Sequence, residues 1–209
     1  MKRIYICYLL IFICIPQINA QMKKMKDVKA FNERVLREAV SVKSIESDFT
    51  QIKHLDLFNE NITSKGKFYY RHNDKISLDY SSPTKYLIVI NDDTLKIVSD
   101  VKKNVVNLKS NKVMSEMRSM LAACMSGNIS QISGYNMEYF EDSNSYLIKI
   151  KPTNKSVQAY ISGFDIYMDK KDMSVSKLRI SENATDYTDY LFQNKKFNTL
   201  TDDKKFSVN

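Results

Sequence analysis

Two histidines, His54 and His72, and Cys124, the one cysteine beyond residue 20, are the scarcest of the side chains in this 209-residue chain suited to proton transfer or nucleophilic attack near neutral pH. No recognisable reaction motif surrounds them: the chain has no G-x-S-x-G turn, phosphate-binding glycine loop, H-E-x-x-H or cysteine-rich metal set. Catalysis, a cofactor and a metal are therefore not expected. The patterned chemistry is apolar. In GKFYYRHNDKISLDYSSP, residues 66–83, large apolar side chains recur two apart, the spacing that puts them on one face of a strand. Such a face removes hydrocarbon from water.

The elements that must carry this face follow from periodicity. Apolar residues at steps of three or four predict amphipathic helices over 27–43 and 112–126, the second ended by Gly127. Period-two alternation predicts strands near 45–54, 61–71, 75–81, 85–91, 94–99, 104–108, 136–141, 146–151, 159–169, 174–181 and 187–194. About eleven strands with short joins make one large antiparallel sheet that must curl on itself. Parity then places Phe49, Phe68, Tyr70, Ile76, Leu78, Tyr80, Ile88 and Ile90 as one wall. The second helix would cover it with Met114, Met117, Met120 and Leu121, and methionine repacks readily around variable hydrocarbon. Pattern alone leaves two outcomes open: a hydrophobic ligand site under a movable cover, or an ordinary core.

Lys2 and Arg3, an apolar run from Ile4 to Ile15 and a small-residue site ending at Ala20 read as a secretory leader. An uncleaved interfacial anchor is the alternative. No cysteine lies where lipidation of the mature chain would need it. Removing 20 of 209 residues leaves 189, and the loss of Lys2 and Arg3 takes the formal charge from +8 to +6. Cys7 and Cys14 go with the leader, so Cys124 has no intramolecular disulfide partner and stability must come from burial. Basic residues are scattered rather than striped, which argues against nucleic acid. With four glycines and three prolines there is no linker, so residues 21–209 read as a single domain.

The run from Ser44 to Val98 resembles the LolA family of periplasmic lipoprotein carriers. It has Phe49 and Gln51 in a first strand, Gly66 before the aromatic Phe68 and Tyr69, Tyr80 and Pro83 closing a hydrophobic strand, and Asn91 and Asp92 at a turn. The closing segment DYTDYLFQNKKFNTLTDDKKFSV is similar to the end of that family, and the likeness spans nearly all of the mature chain. It implies a mainly β fold with helices (α+β): an incomplete antiparallel barrel of about eleven strands under an α-helical lid. Acyl chains would lie between lid and sheet. It also implies a non-catalytic, periplasmic monomer whose partners are acylated lipoproteins, an inner-membrane lipoprotein-releasing ABC exporter and an outer-membrane acceptor. Another lipid or glycolipid, or a structural module with no cargo, are the alternatives. In the family an arginine in a Lys-Arg-Pro-like turn latches the lid; here gapless matching puts His72 at that position, with Arg71 one residue earlier and facing the other way. Either is a latch candidate. Leu78 replaces a common aromatic and thins the wall.

Overall fold

The computed structural model describes residues 21–72, 75–110, 112–126 and 128–208, so the expected leader over 1–20 and the helix-ending Gly127 lie outside the described residues. In chain order the elements are β1 (Lys23–Lys24), α1 (Val28–Ser41), β2 (Ser44–Leu55), β3 (Glu60–Arg71), β4 (Lys75–Ser82), β5 (Tyr86–Asn91), β6 (Thr94–Ser99), β7 (Lys103–Asn107) and α2 (Lys112–Ser126). There follow β8 (Tyr135–Glu141), β9 (Ser145–Pro152), α3 (Lys155–Gln158), β10 (Gly163–Asp169), β11 (Val175–Ser181) and β12 (Tyr187–Phe197). The strands form one antiparallel sheet in the order β1-β8-β9-β10-β11-β12-β2-β3-β4-β5-β6-β7. Its two edges, β1 and β7, do not meet. The sheet is open, as an incomplete barrel should be.

Register carries the wall across the sheet. Phe68 pairs with Leu78 and Leu78 with Ile88, while Tyr70 pairs with Ile76 and Ile76 with Ile90, so two apolar rows run across three strands. On the other half, Ile150 faces Phe164 and Phe164 faces Ile180 in the same manner. Side chains from β9 to β6 in sheet order share one buried cluster with Phe31 and Val35 of α1 and Met120 and Cys124 of α2. The twist of so wide a sheet wraps that face around the helices.

Three boundaries depart from the periodicity. The strand expected over 159–169 starts at Gly163, and the residues before it form α3 and a turn. The Asn154 side chain accepts the Ser156 N–H at 2.9 Å and turns the backbone into a helix, so that Val157 and Ile161 bury together at a spacing of four. β12 runs on to Phe197 because its register against β2 slips between Gln193 and Lys196, where Asn194 adopts a φ of 53°. The two-residue β1 follows from pairing with β8 rather than from any local pattern.

Candidate functional site

The wall forms first. Phe49 lies opposite Gly66, and a Cβ on Gly66 would stand 2.2 Å from the Asp79 carbonyl oxygen and 2.8 Å from the Phe49 ring. Glycine is the residue that permits this close approach. The Phe49 ring meets Tyr80 edge-on at 4.8 Å, and Tyr80 stacks on Tyr86 at 3.9 Å. The Tyr80 hydroxyl donates to Gln51 Oε1 at 2.6 Å, and burial, then the neighbouring Tyr190, raises its pKa well above the usual phenol value. Phe49, Phe68, Tyr70, Ile76, Tyr80 and Ile90 are buried, and Leu78 and Ile88 are half-buried against the same cluster. The structure thus brings all eight predicted wall residues together.

The cover is two helices. Asp27 caps α1 by accepting the Ala30 N–H at 2.9 Å, and Phe31 sets that helix edge-on to Tyr146 at 4.7 Å and to Tyr139 at 5.9 Å. On α2, Met120 is fully buried and Met114 half-buried against the wall cluster; the side chains of Met117 and Leu121 lie outside the described residues. Cys124 sits on the buried side, where desolvation pushes its thiol up to about 12 and leaves it an inert apolar group.

Among the described residues, polar ties hold α2 at two places. The Tyr135 hydroxyl donates to Glu116 Oε2 at 2.9 Å, its acidity lowered by burial and then by the carboxylate. The Arg118 guanidinium stands 3.6 Å from Asp93, which the Lys109 ammonium, at 2.7 Å, holds below the usual carboxylate range. Arg118 Nε is buried with no hydrogen-bond partner among the described residues. The sequence reading missed Glu116, Arg118, Asp93 and Tyr135. Their one local signal was a pair of charges on an otherwise apolar helix; their partners are distant in the chain.

The latch candidates sit elsewhere. Arg71 Nη2 donates to the Leu200 carbonyl at 2.8 Å, its Nη1 pairs with Asp203 at 2.8 Å, and its guanidinium lies 5.9 Å from the Phe206 ring centre. These contacts lie on the sheet face opposite the helices. His72 is exposed, and its backbone N–H donates to the Lys43 carbonyl at 2.9 Å.

Among the described residues, one cavity of about 40 Å³ lies between α1, Cys124 and the β10–β11 turn, and another of about 10 Å³ lies beside Phe68 and Phe192. The larger of these two holds about one water and is too small for a hydrocarbon chain. Among the described residues no three or more His, Cys, Asp or Glu side chains gather as metal ligands, and no helix is long and apolar enough to cross a membrane.

This arrangement of an open twelve-stranded sheet with helices against its apolar face has known counterparts. The family described as outer membrane lipoprotein carrier protein LolA matches residues 40–209. The chain belongs to the LolA family. No curated protein matches it in sequence. Among solved structures, a chain of the MucA/MucB complex of Pseudomonas aeruginosa is similar with a TM-score of 0.51 at 13% identity, over 86% of this chain and 60% of that one. A DUF1329 family protein from Desulfovibrio piger has a TM-score of 0.47 at 14% identity, over 88% and 98%. The lipoprotein LppX of Mycobacterium tuberculosis has a TM-score of 0.44 at 11% identity, over 82% and 96%. At these identities the likeness is one of fold. This LolA-family member keeps the apolar wall and roof while engaging Arg71 on the outer face.

Proposed function

We propose that this chain is a periplasmic carrier that holds the acyl chains of lipoproteins between its apolar sheet face and the α1–α2 cover. It would receive them from an inner-membrane ABC exporter and pass them to an outer-membrane acceptor, without catalysis. The observation that carries this reading is a continuous apolar wall roofed by a helix that has two weak polar ties. An acyl tail entering under α2 exchanges one apolar neighbour for another, so the wall never meets water. Each buried methylene contributes about 0.8 kcal/mol, and a few suffice to offset the loss of ties worth little at a surface. Neither of the two cavities described above has room for a tail, so loading there requires the helices to move. The methionines on α2 then repack around whatever chain length arrives.

Native mass spectrometry of the protein isolated from periplasm tests this. Bound triacylated lipoprotein is the expected result; bound free lipid would point to a glycolipid or another lipid as cargo. The burial of Met120 and Cys124 against the sheet cluster favours one second reading, a module whose helices are permanently packed. Absence of any bound lipid, with no uptake of a hydrophobic fluorescent probe, would establish that reading and end the first.

A further inference from the structure

We infer that Met173 is the removable stopper of the port through which acyl tails enter, an assignment that rests on the carrier reading. The larger cavity runs from the buried Cys124 and Met168 to the exposed carboxylates of Glu38 and Asp172, so it is a path from core to solvent rather than a sealed void. One bank is α1, through Val35, Ala39 and Val42; the other is the β10–β11 turn, and the buried Met173 side chain lines it.

Met173 has a φ of 56°, in the left-handed region where a Cβ is unfavourable and glycine or asparagine is the ordinary choice. The turn imposes this conformation. The Met173 N–H donates to the Asp169 carbonyl at 2.9 Å, the Asp169 N–H to the Ser174 carbonyl at 3.0 Å, and the Ser174 N–H to Asp172 Oδ1 at 2.9 Å. From β12, Lys195 Nζ reaches Asp169 Oδ2 at 2.7 Å and braces the turn from below. The backbone is thus pinned while its strain falls on one residue, whose unbranched thioether swings about three single bonds. Across the seam itself, among the described residues, a hydrogen bond joins the banks, from Arg34 Nη2 to the Lys170 carbonyl at 2.9 Å. A turn needing no side chain at that position carries a long apolar one, and the space it lines leads to Cys124 and Met168 of the buried cluster. An arriving tail displaces the thioether and takes over its contacts, so the seam opens without exposing hydrocarbon.

Stopped-flow uptake of a fluorescent triacylated lipopeptide tests the assignment on the mature chain, with melting curves alongside. Met173→Gly removes the stopper and the strain together, and uptake should quicken about tenfold with little change in melting temperature. Met173→Leu keeps apolar bulk, and its rate should stay within about twofold of the parent. Met173→Asn suits the left-handed turn with a short side chain and serves in the same way where the glycine variant does not fold. Parent-like uptake by both the glycine and asparagine variants would overturn the port while leaving the carrier standing. Failure of every form, the parent included, to take up lipopeptide would overturn both.

Discussion

The two faces of the sheet are covered in opposite ways. On the inner face, α1 and α2 lie on a broad apolar cluster, and α2 adds two polar ties, from Glu116 to Tyr135 and from Arg118 to Asp93. On the outer face, the chain after β12 folds back over a small cluster of Tyr69, Val89 and Phe206, and directional bonds rivet it. Arg71 holds the Leu200 carbonyl and Asp203, Lys75 pairs with Asp203 at 2.7 Å, Asn91 Nδ2 donates to the Phe206 carbonyl at 3.0 Å, and Lys96 Nζ to the Ser207 carbonyl at 2.9 Å. A cover held by non-directional burial slides and accepts a substitute hydrocarbon at little cost. One held by oriented hydrogen bonds loses each of them when it moves. On the carrier reading proposed above, the inner cover is the one that lifts and the outer one stays.

Breaking the outer cover should cost the most stability and matter least to binding. Phe206→Ala deletes a fully buried ring and should lower unfolding stability by about 4 kcal/mol in urea titrations, with lipopeptide affinity unchanged. Arg71→Ala should cost about 2 kcal/mol by the same measurement, through the Leu200 hydrogen bond and the packing on Phe206. If it instead altered lipid uptake with stability intact, Arg71 would act on the lid, and the contrast between the faces would fail.

Loosening the inner cover should do the reverse. Arg118→Ala should leave unfolding nearly unchanged while amide hydrogen exchange within α2 speeds up roughly fivefold. Equal protection in parent and variant would mean that α2 is held by packing alone.

The smallest effect is the response to acid. The hydrogen bond from Lys75, opposed by burial and aided by Arg71, holds the Asp203 carboxyl below its ordinary value of 3.8. Its folded value lies below its unfolded one, so this contribution is complete above the unfolded value and fades as pH falls through the folded one. Amides of residues 198–208 should therefore lose protection below about pH 4, before those of the buried wall. Simultaneous loss would show that the tail and the wall open as one unit.

Strand parity and the two long amphipathic helices were legible because burial on one face of a strand or helix writes its period into neighbouring residues; the shared face of Phe68, Tyr70, Ile76, Leu78, Ile88 and Ile90 came from alternation, while the register that pairs them did not. Residues 159–162 were read as the start of a strand but complete the turn after α3, whose four residues are too few to establish a period and which the Asn154 cap sets. Arg71 was legible as outward-facing, but its engagement with Leu200 and Asp203 was not, since those partners lie about 130 positions away.

Local order in the chain thus sufficed for the strands, their greasy side and the two long helices, since each depends on neighbours a few residues apart, whereas the open edge of the sheet was implied by the family resemblance. Folding in three dimensions settled which charges hold which cover, and that a methionine rather than a glycine turns the β10–β11 corner into the seam. Those outcomes depend on distances between segments remote in sequence, and no local period encodes them.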